Sequence, residues 1–293
     1  VKNCLEFFII IFLATAFSAC ERNPIDEMPQ EPLVKVIGHR GTGSDGFWLK
    51  DPSLPGENTY GAMVFAFHYL NGAETDIQMS ADGTIWLWHD DFIGTSTNCV
   101  PCLTDAEIIE LLPPDKSIVK LIDVLRLLKS FQNKKYLSLD VKGHFPNCNC
   151  FNHTQYFNRM SDSIVAFCNR LNINDRVMVE TNYIEFLDFI KAKSSKIQCY
   201  QLGYSNMRIT INAALARGYQ GISFNYNDTS FTQQNLNYLR ANNLKIQAWS
   251  IYSQAGLNRC TEFGVDFIQT GFFSFLPWYK QYGSIPSDPY TEK

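Results

Sequence analysis

The stretch GAETDIQMSADGTIWLWHDD, from Gly72 to Asp91, carries two carboxylates one residue apart and, after a turn at Asp82-Gly83, a histidine beside another carboxylate. In a β-strand alternate side chains share a face, so Glu74 and Asp76 project together while Thr75 points the other way. Two carboxylates held that close repel each other and lose solvation unless a hard cation such as Mg²⁺ or Ca²⁺ sits between them. An isolated Glu-x-Asp reads more simply as the polar face of a half-buried strand, but this one has company. Upstream, Val34 to Ile37 reads as a short β-rich run ending in Gly38-His39-Arg40-Gly41, where a histidine and an arginine between glycines suit phosphate binding better than packing. Downstream, Tyr136 to Lys142 alternates so that Asp140 and Lys142 share a face, adding a third acid and a second cation.

The elements that must position these residues follow from the pattern beyond Val34, where short apolar runs alternate with helical ones, the mark of β/α units and a parallel sheet. Eight strands are expected, at 34–37, 73–77, 136–141, 176–180, 197–201, 221–224, 245–248 and 267–269. Helices are expected at 60–70, 121–131, 156–171, 183–192, 207–217, 233–242 and 254–263. Eight such runs suit a single-domain (β/α)₈ TIM barrel, in which chemistry gathers at the C-terminal ends of the strands. Residues 84–88 form an extra strand, making a small β-hairpin insertion after the second barrel strand and turning His89 toward the Glu74 and Asp76 pair.

In order and spacing, His39-Arg40-Gly41, Glu57-Asn58-Thr59, Glu74-x-Asp76, His89-Asp90 and the Asp140-x-Lys142 strand resemble the glycerophosphodiester phosphodiesterase family. Trp249-Ser250 after a strand and the run from Gly264 to Thr270 carry the resemblance nearly to the end. The resemblance implies hydrolysis of glycerophosphodiesters to an alcohol and glycerol 3-phosphate. It assigns a divalent metal, Mg²⁺ or Ca²⁺, to Glu74, Asp76 and Asp140, and acid/base catalysis to His39 and His89. Arg40 and Lys142 would meet the substrate phosphate. Glu57 would support the site by holding Arg40 or extending the metal shell, and Trp249 is a further supporting residue. The family mechanism implies attack by the neighbouring glycerol hydroxyl and a cyclic phosphate that water opens.

One departure stands out. Many members have Glu where this chain has Asp140, one methylene shorter, and the related sphingomyelinase D enzymes also have Asp there. A sphingomyelinase D or lysophospholipase D type of phosphodiesterase, acting on lipids, is therefore an alternative. So is a non-catalytic envelope binding protein, although a binder has no use for two histidines beside the cations. Phe47, Trp48, Trp88 and Trp249 could frame a choline or simply pack. Of the other histidines, His68 and His153 read as structural, and His144 is notable only for lying two residues from Lys142.

With 293 residues and 45% hydrophobic content the chain can bury one large core, and its net charge of −4 gives no electrostatic case for nucleic acid. Residues 1–19 read as a signal peptide of lipoprotein type, with Ser18-Ala19 before a Cys20 that would carry lipid. Residues 20–33 form a Pro-rich acidic tether, 34–280 the barrel and 281–293 a tail. This organisation implies a bacterial cell-envelope location, exported or held to the membrane by the lipid anchor alone, with a small-molecule glycerophosphodiester as partner and the oligomeric state open. The nine cysteines, less Cys4 and Cys20, leave seven, an odd number. Cys99-x-x-Cys102 and Cys148-x-Cys150 suit disulfides closing or joining two loops better than a four-thiolate zinc site, and Cys168 reads as a core residue.

Overall fold

A computed structural model describes residues 34–43, 54–143, 148 and 150–273. The parallel strands are β1 (Lys35–Gly38), β2 (Gly72–Met79), β4 (Tyr136–Val141), β5 (Val177–Thr181), β6 (Gln198–Gly203), β7 (Gly221–Asn225), β8 (Lys245–Ile251) and β9 (Phe267–Thr270). β1 pairs with β9 through Val36 and Ile268 and with β2 through Ile37 and Gly72, which closes the eight strands into a TIM barrel. β3 (Ile85–Leu87) folds back antiparallel on β2, Ile77 opposite Leu87, after the turn in which Gly83 takes φ +91°. The hairpin expected from residues 84–88 is thus present.

Period-two alternation sorts the barrel interior into layers. Ile37, Tyr136, Met178, Tyr200 and Phe267 pack into an apolar plug at the N-terminal end. Two residues beyond Tyr136, Met178 and Phe267, the side chains of Ser138, Glu180 and Gln269 join Ser223 of β7 and Gln247 of β8 in a buried polar layer. The outward faces of the strands, fully apolar at positions such as Leu137, Leu139, Val177 and Val179, pack against the surrounding helices in one large core.

Those helices are α1 (Tyr60–Tyr69), α2 (Asp105–Leu111), α3 (Leu121–Ser130), α4 (His153–Leu171), α5 (Ile184–Lys193), α6 (Met207–Arg217), α7 (Gln233–Ala241) and α8 (Gln254–Glu262). Side-chain caps fix several starts: Thr59, Asn152, Asn206, Thr232 and Ser253 each accept from a backbone N–H in the first turn. α2 was not among the expected helices. It begins with a capping box, the Thr104 hydroxyl accepting from Glu107 N–H and the Glu107 carboxylate accepting from Thr104 N–H. Trp86, Ile93, Val100, Leu103, Ile108 and Ile118 form a separate small core beneath the hairpin.

Two disulfides, Cys99–Cys148 and Cys102–Cys150, join the connection after β3 to the connection after β4. They are the loop-joining bridges expected from the spacing. Cys168, Cys199 and Cys260 are free and buried. No helix among the described residues is long and apolar enough to cross a membrane. Phe47, Trp48, His144, the signal and tether segments and the C-terminal tail lie outside the described residues.

Candidate active site

Every strand that carries a chemically equipped residue delivers it to the same end of the barrel. β1 ends in a tight turn in which Gly41 N–H donates to Gly38 O. Gly41 takes φ +82°, and a Cβ there would collide with Ala62 on α1, so the turn needs glycine. The His39 N–H donates to Thr270 O of β9, which ties the turn to the last strand. Arg40 follows in the left-handed region at φ +48°, its N–H donating to Glu74 Oε2 at 2.9 Å.

β2 carries Glu74 and Asp76, both 2% exposed, on the interior face. One oxygen from each of Glu74, Asp76 and Asp140 falls within 4.8 Å of the others. The two cations thread this group: Lys142 Nζ lies 2.9 Å from Asp76 Oδ1 and 2.6 Å from Asp140 Oδ2. Arg40 Nε lies 3.1 Å from Asp76 Oδ2, and its Nη1 lies 2.6 Å from Glu57 Oε1. Of the two roles open to Glu57, the geometry shows it holding Arg40. His39 Nε2 is 3.9 Å from Glu74 Oε2. His89, at the end of the hairpin, engages Asp90 Oδ1 through Nδ1 at 2.7 Å.

The electrostatics follow from burial. Although burial works the other way, Lys142 and Arg40 hold Asp76 well below the usual carboxylate range. Burial, together with the charges of Asp76, Glu180 and Asp140, pushes Glu74 well above it. Burial and the Asp76 charge raise Asp140 despite Lys142. His39 is pushed down to about 3, first by burial and then by the neighbouring Arg40 guanidinium, so its ring is neutral at physiological pH. Three convergent carboxylates, Glu74 and Asp76 buried and Asp140 half-buried, with Asp76 held well below and Glu74 pushed well above the usual range, fit a hard divalent cation.

A cavity of about 230 Å³ opens above these groups, lined by His39, Arg40, Glu74, Asp76, His89, Asp140 and Lys142, with Glu180 and Gln269 among its other lining residues and Leu202, Tyr204 and Trp249 on one side. All the sequence-predicted residues except Glu57 therefore line one pocket, and Glu57 reaches it through Arg40. Trp249 sits where β8 bulges against β9, and its indole Nε1 is buried without a partner among the described residues. Tyr204, 58% exposed, meets the Trp249 ring edge-on with centroids 5.6 Å apart. Trp88 belongs elsewhere, packed against the core beneath the hairpin with Nε1 donating to Phe92 O. His68 lies against Phe131, and His153 against Phe151.

Sequence reasoning passed over two residues. Asn58, in the left-handed region at φ +57°, donates from Nδ2 to Asp76 Oδ2 at 2.8 Å and accepts from the Thr75 hydroxyl at 2.7 Å. Its position in the Glu-Asn-Thr motif was the available signal. Glu180 is a buried acid on β5 whose only sequence mark is an acidic residue at the end of an apolar run.

Comparisons with known proteins agree with this geometry. Residues 39–273 match the glycerophosphoryl diester phosphodiesterase family. A glycerophosphodiester phosphodiesterase from Parabacteroides distasonis shares the fold with TM-score 0.64 at 18% identity, covering 81% of this chain and 92% of its own. A phosphodiesterase from Oleispira antarctica, solved with sn-glycerol-3-phosphate as product, gives TM-score 0.64 at 16% identity over 81% and 93% of the two chains. The glycerophosphodiester phosphodiesterase of Thermotoga maritima gives 0.59 at 17% identity over 81% and 94%. Curated protein sequences give no match. The barrel, the motif order and a family match spanning nearly all of the described residues make this chain a phosphodiesterase of the glycerophosphoryl diester phosphodiesterase family.

Proposed function

We propose that the chain hydrolyses glycerophosphodiesters to an alcohol and glycerol 3-phosphate, using a divalent cation held by Glu74, Asp76 and Asp140. The observation that carries this reading is the convergence of three carboxylates, two histidines and two cations on one pocket at the C-terminal end of the barrel. The Oleispira relative, crystallised with sn-glycerol-3-phosphate, supports the product class. Bound there, a divalent cation would supply positive charge to the phosphoryl oxygens.

The chain's own residues account for the rest. Arg40 and Lys142 present further positive charge to the phosphate, each fixed by carboxylates so that little reorganisation accompanies binding. His39, in the pocket with Nε2 3.9 Å from Glu74 Oε2, accepts the proton of the attacking hydroxyl. Asp90 engages His89 at Nδ1 and so leaves Nε2 as the nitrogen that donates to the departing alkoxide. When water opens the cyclic phosphate the two roles reverse.

The test is release of glycerol 3-phosphate from glycerophosphocholine and glycerophosphoethanolamine by protein lacking residues 1–20, in EDTA and after Mg²⁺ or Ca²⁺ is restored. Release is expected only with metal, and His39→Ala and His89→Ala should each lower turnover at least 100-fold with the fold intact. Full activity in either variant would sink the acid/base assignment. The shorter Asp140 keeps a lipid phosphodiester as the second reading, which a lipid phosphomonoester or cyclic phosphate product would favour. Export and attachment through Cys20 complete the proposal, checked by metabolic labelling with palmitate in wild type and Cys20→Ala.

A further inference from the structure

Beneath the three convergent carboxylates lies a fourth. Glu180 is 2% exposed and lines the floor of the pocket, and in the sheet register its Cα partner on β4 is Asp140. Its hydrogen-bond partners are all neutral: Ser138 and Gln269 donate to Oε1, Ser223 and Gln247 to Oε2. They come from four other strands, so the polar layer of the barrel is built around this one side chain. Among the described residues no lysine, arginine or histidine pairs with it.

Such an arrangement is unfavourable for stability alone. An uncharged side chain of similar volume would fill the layer without the desolvation penalty of a buried carboxylate. The two cations nearby do not offset it, since Arg40 and Lys142 both contact Asp76. A second observation points the same way. Gln247 Oε1 is buried without a donor in the same layer. Four carboxylates facing two committed cations, with that acceptor beside them, describe a pocket floor that can take additional positive charge.

How Glu180 acts is set by its own bonds. A carboxylate offers about four lone-pair positions, and four donors take them. Glu180 is therefore not available to ligate an ion, but its ionised form, which burial and Asp140 disfavour until positive charge enters the pocket, attracts a cation through the low-dielectric interior. Resting on the cation site proposed above, we infer that Glu180 is an outer carboxylate of that site, which draws the divalent ion to Glu74, Asp76 and Asp140 by its charge without ligating it. It is a positioning residue for the ion rather than a catalytic one. The Asp140 carboxylate is one methylene shorter than a Glu would provide, and a charge beneath it adds attraction without needing reach.

The experiment is calorimetric titration of the purified, EDTA-stripped protein with Ca²⁺ and, separately, Mg²⁺. Glu180→Gln removes the charge while keeping the shape, and its Kd should rise at least tenfold over wild type. Ser223→Ala removes one donor while leaving the charge, and its Kd should stay within threefold. A Glu180→Gln variant that is folded by circular dichroism and binds with less than a tenfold change would overturn the inference. Should that variant not fold, Glu180→Asp decides: the charge remains, so a Kd within fivefold of wild type is expected, and a larger loss overturns the inference. Failure of the underlying reading looks different, because then the wild-type protein itself would show no binding of either ion.

Discussion

His39 sits at the point where burial and function meet. In the unfolded chain its ring takes a proton near 6.5, whereas in the folded protein burial and Arg40 push that value down to about 3. Between these values the unfolded chain holds a proton that the folded chain lacks, so stability rises with pH across the window. The contribution is whole above about 6.5 and is lost progressively as the pH falls from there through about 3. In EDTA, the thermal midpoint of His39→Gln should therefore fall less steeply than that of wild type between about pH 6.5 and 4.5; parallel curves would mean that the ring titrates as if exposed. Asn58 offers a second test. Asn58→Ala removes the amide that clamps Asp76 and places a Cβ residue without a local hydrogen bond at φ +57°. It should destabilise the protein by about 2 kcal/mol in urea titrations and weaken divalent-ion binding, while unchanged values would show that Asp76 is oriented by Lys142 and Arg40 alone. The sequence made His39 legible because a histidine and an arginine between glycines are hard to explain as packing. It hid the clamp, because Asn58 and Asp76 meet only through the turn that brings Arg40 O to Asn58 N–H. Glu180 was hidden for the opposite reason: at the end of Val-Met-Val it reads as the polar stop of a strand, and only the closed barrel turns it inward.

At the scale of elements, the strands were readable because both faces of a parallel barrel strand are buried, which leaves dense apolar runs such as Tyr136–Val141, found at its expected bounds. α2 escaped because seven residues give too little periodicity, although Thr104 and Glu107 carried the capping-box spacing. The two disulfides are the elements' strongest tie at the rim. Cys99 and Cys148 are 49 residues apart, and cross-linking a loop of that length removes unfolded-state entropy worth about 4 kcal/mol. The second bridge closes nearly the same loop and adds less. Replacing all four cysteines by serine should lower the unfolding free energy by roughly 4 kcal/mol with helix and strand content retained. Replacing only Cys102 and Cys150 should lower it by much less. Equal losses in the two variants would overturn this account.

Across the whole molecule, the paired and free cysteines give a count that can be read directly. Burial pushes the thiols of Cys168, Cys199 and Cys260 up to about 12 each, so they are protonated as well as inaccessible at neutral pH. Protein lacking residues 1–20 should take no iodoacetamide when native, label only at these three cysteines after guanidinium without reductant, and label additionally at the four of the two bridges after reduction. Labelling of the native protein would place one of the three outside the core. The bond from His39 N–H to Thr270 O has a consequence for biosynthesis. All three carboxylates of the proposed ion site, both histidines and both cations emerge from the ribosome early, between His39 and Lys142, yet the turn holding His39 lacks its anchor until β9 has been made. A nascent chain would thus carry these reactive side chains from Lys142 onward without an assembled pocket until the final strand pairs and switches it on.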